Sequence, residues 1–199
     1  MSKIYTKTGD KGKTSLYNGE KVYKNNSFCE VVGTLDEISS AIGCVYLEIE
    51  MNTNNTEETS AEPSKYIKEI LNDLQWVQSR LLDLGSHVAT PNNSKSSEKK
   101  LAQTAFSASY ITDVEKRIDY YDEKLPALKN FILPYGATHV CRSVTRRCER
   151  SMIALLETEM ISLDAYIFIN RLSDFFFVLG RFISIKLYNK TEIVYKKDF

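Results

Sequence analysis

The chain has 199 residues, with 43% hydrophobic and 26% charged side chains, an ordinary composition for one globular domain of 22.8 kDa. Its 26 acidic and 26 basic residues balance to +0, which excludes a general attraction to nucleic acid or a membrane surface, so any charged ligand must be met by local charge. Four cysteines without a CxxC pair and two histidines without zinc-ligand spacing point to reduced thiols and no metal centre, and no apolar run approaches the ~18 residues of a membrane span.

Residues 1–24 carry six lysines against Asp10 and Glu20 and lack helical periodicity, so they are expected as an extended loop. Within them, Thr6 to Ser15 combines glycines that let backbone N–H groups approach a ligand, lysines for charge and hydroxyls for hydrogen bonds, as a polyphosphate requires. A solvated basic terminus accounts for the same composition equally well. Gly12-Lys13-Thr14 imitates the end of a P-loop, but Lys7 stands where that motif needs glycine, and neither a buried strand before it nor a helix after it is evident. Met1–Gly12 resembles neither a secretory signal nor an Arg- and Ser-rich presequence. The location expected is cytoplasmic, or the mitochondrial matrix if a transit peptide is absent from this chain.

From Thr34 the apolar residues fall at helical spacing. Thr34 and Glu37 form a capping box, followed by the stripe Leu35, Ile38, Ile42, Val45 and Ile49. Asn52–Ser64 is almost without apolar residues and is expected as a mobile loop. A second stripe, Ile67 to Val88, precedes another expected loop, Thr90–Lys100, and a third stripe spans Ile111 to Leu125. Pro134 and Gly136 should punctuate Phe131–Gly136 before a fourth helix over Ala137–Leu156, and a fifth, unusually apolar, over Leu163–Leu187. The fold class expected is all-α: one domain over residues 1–199, with a five-helix antiparallel bundle over 34–188 and the N-terminal loop outside it.

The fourth helix presents Arg142, Arg146 and Arg150 at i, i+4 spacing, with His139 and Glu149 on the same side. Guanidinium forks suit oxyanions, and Glu149 can hold an arginine or accept from a ribose hydroxyl. On the fifth helix Asn170, Arg171, Ser173 and Asp174 stand among Ile167, Phe168, Ile169, Leu172 and Phe175–Phe177 and must find partners. A buried structural network and a ligand site both satisfy that requirement.

Taken together, Lys3–Gly12, Val32–Glu37 with Ala41-Ile42-Gly43, Phe131–Pro134, Arg146–Arg150 and Ile169–Asp174 closely resemble the PduO-type cobalamin adenosyltransferases. The resemblance implies transfer of the 5′-deoxyadenosyl group of ATP to the cobalt of cob(I)alamin by a homotrimer with active sites shared between subunits. It implies ATP contacts from Thr6, Lys7, Thr8, Gly9, Thr14, Ser15 and Lys24, completed by Arg146, Arg147, Cys148, Glu149, Arg150 and Asn170, with magnesium on the phosphates. Asp36 would pair with Arg146 across the interface, and Phe131 would lie under the lower corrin face; with Arg150 these are the residues expected to act in catalysis. A corrinoid reductase and an adenosylcobalamin-dependent mutase are the partners such chemistry implies. Tyr135 stands where the family often has a second glycine, and Cys148 where it often has alanine. The alternatives are a non-catalytic helical corrinoid chaperone, a purely structural bundle and an ATP-cleaving kinase.

Overall fold

The computed structural model describes residues 5, 7–53 and 61–197; Thr6, expected at the phosphate site, and residues 54–60 of the first expected loop lie outside them. The described chain forms a hairpin, β1 (Lys13–Ser15) and β2 (Lys21–Tyr23), then α1 (Ser27–Thr53), α2 (Ala61–Val88), the short α3 (Glu98–Gln103), α4 (Ser109–Asp122), α5 (Ala137–Glu157) and α6 (Leu163–Phe182). Five of the six helices are long, as the stripes require, and α6 ends in a π-helical turn over Ile183–Leu187. No described helix is long and apolar enough to cross a membrane.

Two departures from the sequence expectations change the outline of the bundle. α1 begins seven residues before the expected capping box, at Ser27. Asn26 starts it, its side-chain oxygen accepting from Phe28 N at 3.0 Å, while Thr34 is 2% exposed in the helix interior and donates its hydroxyl to the Glu30 carbonyl at 2.8 Å. The physical reason is Val31, wholly buried, which extends the stripe Leu35, Ile38, Ile42, Val45 and Ile49 by one turn. The N-terminal segment, in turn, is a hairpin and not simply an extended loop: Lys13, Thr14 and Ser15 pair antiparallel with Tyr23, Val22 and Lys21. A strand where the P-loop decoy would have needed a helix agrees with its rejection.

Cross-helix contacts give the packing directions. Tyr46 bonds the Leu71 carbonyl and Gln78 the Ser39 carbonyl, so α1 and α2 are antiparallel. Ala137 and Arg147 of α5 bond Glu48 and Glu37 of α1, and Asn170 of α6 bonds Glu149 of α5. α6 also packs on α4, where Glu115 meets Arg171 and Asp122 meets Arg181; this one pair runs parallel. The α4–α6 seam is aromatic: Tyr121, Phe168, Phe175, Phe176 and Phe182 are all under 2% exposed. The single tryptophan, Trp76, sits at the edge of this seam, 6.2 Å from Phe168, with the Arg117 guanidinium 3.9 Å over its ring.

The segment Thr90–Lys100, expected as a mobile loop, is tied down. Ser96 donates to the Pro91 carbonyl at 2.5 Å, Asn92 N to the Met160 carbonyl at 3.1 Å, and Ser97 caps α3. Its polar side chains have found backbone partners and, through Asn93, Lys95 and Lys100, the hairpin.

Candidate active site

The lysine-rich segment is shaped by two left-handed residues. Lys7 has φ +58° and Gly12 φ +74°, and between them the backbone folds into turns, with Gly12 N bonded to the Gly9 carbonyl at 3.1 Å. Lys24 closes the curve: its N–H bonds the Gly12 carbonyl at 2.9 Å, and its ammonium lies 3.0 Å from where a Cβ on Gly9 would be. Glycine at position 9 is what permits that approach. Thr8, Lys11 and Lys13 are exposed on the same segment, and Lys13 rests 4.6 Å over the Tyr23 ring. Thr14 is half-buried and Ser15 exposed in β1.

The hairpin is fastened to the C-terminal end of α2. Tyr17 N bonds the Ala89 carbonyl at 2.9 Å, and Lys100 reaches the Tyr17 carbonyl at 2.8 Å. Glu20 receives Lys95 at 2.7 Å and Asn93 at 3.3 Å, contacts that hold its carboxyl below the usual range. These anchors were not legible in the sequence because they join residues more than 70 apart; only the polar, lysine-bearing composition of 92–100 hinted that an acid would be met there.

The arginine stripe divides on folding. His139 turns inward, its ring 3.1 Å from the position of a Cβ on Gly180, and Arg142 lies 5.5 Å over Phe177. Burial first, and the Arg142 charge second, lower the His139 pKa. His139 therefore does not share the exposed face with Arg146 and Arg150. Arg147 pairs with Glu37. Arg146 and Arg150 are exposed, Arg150 donating to the Arg146 carbonyl at 3.1 Å. Cys148 is completely buried, and burial pushes its thiol up to about 12, so it contributes packing beneath the site and no reactive thiolate.

Asn170 joins α5 to α6. Its amide N–H donates to Glu149 Oε1 at 2.9 Å, and its oxygen accepts from Arg171 at 2.8 Å, while Arg171 also binds Glu115 at 2.9 Å. The amide orientation is dictated by these partners, since a guanidinium only donates and a carboxylate only accepts. Ser173 bonds the Asn170 carbonyl, and Asp174 is exposed. The network and the candidate site thus draw on the same residues, and Asn170 and Arg171 keep hydrogen-bonding capacity beyond the bonds they make.

Asp36 is exposed and lines a groove of about 500 Å³ between α1 and α2, with Tyr17, Val32, Gly33, Ser39, Gln78 and Leu82 along it. Neither Asp36 nor Arg146 has an ion-pair partner among the described residues. Phe131 is 84% exposed. Its segment is paired with a C-terminal stretch that lay outside every sequence expectation: Tyr195 N bonds the Phe131 carbonyl at 2.8 Å, Leu133 N the Ile193 carbonyl at 2.7 Å, and Ile132 bridges Val194. Tyr135 receives the Lys190 ammonium at 3.0 Å. Behind this strap is a cavity of about 450 Å³, lined by Ile132, Tyr135, His139, Ser184 and Thr191 among others. The short β-branched and aromatic run Ile193-Val194-Tyr195 between polar neighbours was the available signal for an edge segment. Among the described residues no three His, Cys, Asp or Glu side chains converge on a metal position.

A helical bundle with a lysine hairpin at one end and this set of arginines on α5 defines a class. The chain belongs to the cobalamin adenosyltransferase family, whose sequence profile matches residues 4–183. Within that family it is of the PduO type. It is 41% identical to the human corrinoid adenosyltransferase MMAB over 100% of this chain and 75% of that protein. It is 34% identical to the corrinoid adenosyltransferase of Bacillus subtilis, over 98% and 96% of the two chains. A variant PduO-type ATP:corrinoid adenosyltransferase from Lactobacillus reuteri, solved with cobalamin and ATP, superposes with a TM-score of 0.77 at 32% identity, over 98% of this chain and 100% of that one.

Proposed function

We propose that this chain transfers the 5′-deoxyadenosyl group of ATP to the cobalt of cob(I)alamin, giving adenosylcobalamin and releasing the triphosphate intact. The observation that carries the reading is that a family member presents the Gly9–Lys24 curve and the exposed Arg146 and Arg150, two groups of cations that suit a triphosphate. The cobalt of the substrate donates an electron pair to C5′, the cobalt–carbon bond forms, and the C5′–O5′ bond breaks with its electrons leaving on the triphosphate. Cobalt(I) thereby becomes formally cobalt(III). No protein nucleophile is needed, so the chain's work is orientation and neutralisation of the departing charge. Lys7, Lys24, Arg146 and Arg150 supply that charge, with the backbone amides of Gly9 and Lys11; Thr8, Thr14 and Ser15 supply hydroxyls. Glu149 and Asn170 hold the nucleoside end, and Thr6, outside the described residues, is a further ATP contact implied by the family resemblance. Magnesium would be held by phosphate oxygens.

The two halves are held by different parts of the chain, the hairpin by α2 and residues 93–100, the arginines by α1 and α6. Asp36 and Arg146 are both exposed and without an ion-pair partner among the described residues. They complete each other in a homotrimer, Asp36 of one subunit meeting Arg146 of the next. Leu47, Met51, Leu82, Val140 and Ile153, each at least 40% exposed, supply apolar surface for that assembly. Phe131 meets the lower corrin face, where an apolar ring favours loss of the lower axial ligand and easier reduction of the cobalt. An adenosylcobalamin-dependent mutase and a corrinoid reductase are the partners of such an enzyme.

The test is incubation with ATP, magnesium and chemically reduced cobalamin, following adenosylcobalamin absorbance and identifying the phosphate product. Tripolyphosphate in equal amount with adenosylcobalamin is expected. ADP without adenosylcobalamin overturns the assignment, and corrinoid binding without either product identifies a chaperone.

A further inference from the structure

The segment that carries Phe131 ends in a turn closed by an acid from another helix, and we infer that Glu48 is a positioning residue for the corrinoid substrate. The inference rests on the proposed placement of Phe131 beside the corrin. α5 starts at Ala137, and like any helix it begins with N–H groups that have no intrahelical partner. The residue before it usually supplies a side-chain oxygen, but Gly136 has none to give. The oxygen comes instead from α1: Ala137 N donates to Glu48 Oε2 at 2.8 Å. A carboxylate at that end also meets the positive pole of the helix.

Gly136 is fitted to this arrangement twice over. Its φ of +87° is one that side chains rarely adopt, and a Cβ there would lie 3.2 Å from Glu48 Oε1. The carboxylate therefore occupies the space that a residue with a side chain would claim. Working back from Gly136, Pro134 restricts the backbone, and Leu133 and Phe131 are bonded to Ile193 and Tyr195. The tail thus holds residues 131–133 along one edge, and Glu48 holds the end at which the segment enters α5. Phe131, 84% exposed, has little packing of its own, so its position is that of its backbone. Without the carboxylate the Ala137 amide loses its partner, the turn relaxes, and Phe131 moves. The hairpin half of the ATP site hangs from the end of α2 and the 93–100 segment, and Arg146 and Arg150 stand more than two turns into α5, where Arg147–Glu37 and Asn170–Glu149 hold the helix, so neither half is disturbed.

The full chain would be assayed as Glu48→Ala, Glu48→Gln and Glu48→Asp, with Phe131→Ala as reference. Loss of a cap contact corresponds to roughly tenfold in an equilibrium. Glu48→Ala is expected to raise KM for cob(I)alamin about tenfold while KM for ATP stays within about twofold. The spectrum of bound cob(II)alamin with ATP should show a smaller fraction lacking its lower ligand. Glu48→Gln, whose amide oxygen accepts the same bond, should recover most of the affinity; Glu48→Asp, which keeps the charge but withdraws the oxygen, should not. That last variant also carries the test if Glu48→Ala does not fold. If Phe131→Ala alters corrinoid affinity and spectrum but Glu48→Ala and Glu48→Asp do not, this inference fails alone. If Phe131→Ala also changes nothing, the corrin placement fails with it. Equal loss toward both substrates, tracking the melted fraction, means a merely structural role and overturns the inference.

Discussion

At the scale of single residues, the site depends on close approaches that leave no room for small changes. A methyl group on Gly9 would meet the Lys24 ammonium at 3.0 Å and its Cε at 3.2 Å. Gly9→Ala should therefore displace Lys24 and raise KM for ATP severalfold, with little effect on melting temperature, because the end of a flexible side chain yields before the fold does; steady-state kinetics against ATP checks it. The two neighbouring arginines should separate in the same assay. Arg146 has no ion-pair partner among the described residues, whereas Arg147 is engaged by Glu37. Arg146→Ala should lower kcat by ~10²-fold or more if its contact strengthens as the triphosphate departs, with the helical circular dichroism unchanged. Full turnover in that variant would remove Arg146 from the site. Asn170 shows why sequence could not choose between network and site: an amide has more than one bonding capacity, and Glu149 and Arg171 use only part of it.

At the scale of elements, His87 links three of them. Its Nε2 accepts from Ser162 N, the cap of α6, at 3.0 Å, so Nδ1 carries the proton and donates to the Thr104 carbonyl at 3.0 Å. A second proton would abolish the Ser162 contact. Burial, the larger influence, lowers the His87 pKa, and the Thr104 bond opposes it only partly. Because the folded state binds that proton less readily than the unfolded chain, the contribution is fully present above the unfolded pKa of about 6.5 and is lost as the pH falls below it. Melting temperature should drop between pH 7.5 and 5.5, and His87→Gln should flatten that slope; an unchanged slope would mean the other lowered histidine, His139, dominates. Helix periodicity was largely legible here, although Ile67 of the second stripe and Ile111, Ile118 and Leu125 of the third are only half-buried. Every residue of the expected α1 stripe is buried, and so are Ile70, Leu74, Val77, Leu81, Leu84 and Val88 of α2. The start of α1 was misread because Thr34 and Glu37 mimic a cap, although Val31 already continued the stripe upstream. The pairing of the strap over 131–135 could not be read, since its partner is some sixty residues away and the run Ile193-Val194-Tyr195 hinted at an edge segment without naming what it pairs with.

At the scale of the whole molecule, the proposed assembly draws on the exposed apolar residues and on Asp36 and Arg146, which have no ion-pair partner among the described residues. Leu82, 74% exposed, lines the same groove as Asp36. In the proposed trimer, Leu82→Glu should shift the sedimentation profile toward smaller species and lower activity in parallel, with the isolated subunit retaining its helical signal. Trimers of undiminished stability would mean that the groove is not part of the interface. One feature of the α4–α6 seam has an optical consequence. Trp76 is the only indole in the chain, and its neighbours, Phe168 and Arg117, belong to α6 and α4. Its fluorescence therefore watches the separation of three helices from a single vantage point. An emission shift that precedes the loss of helical signal would mean that this seam opens first.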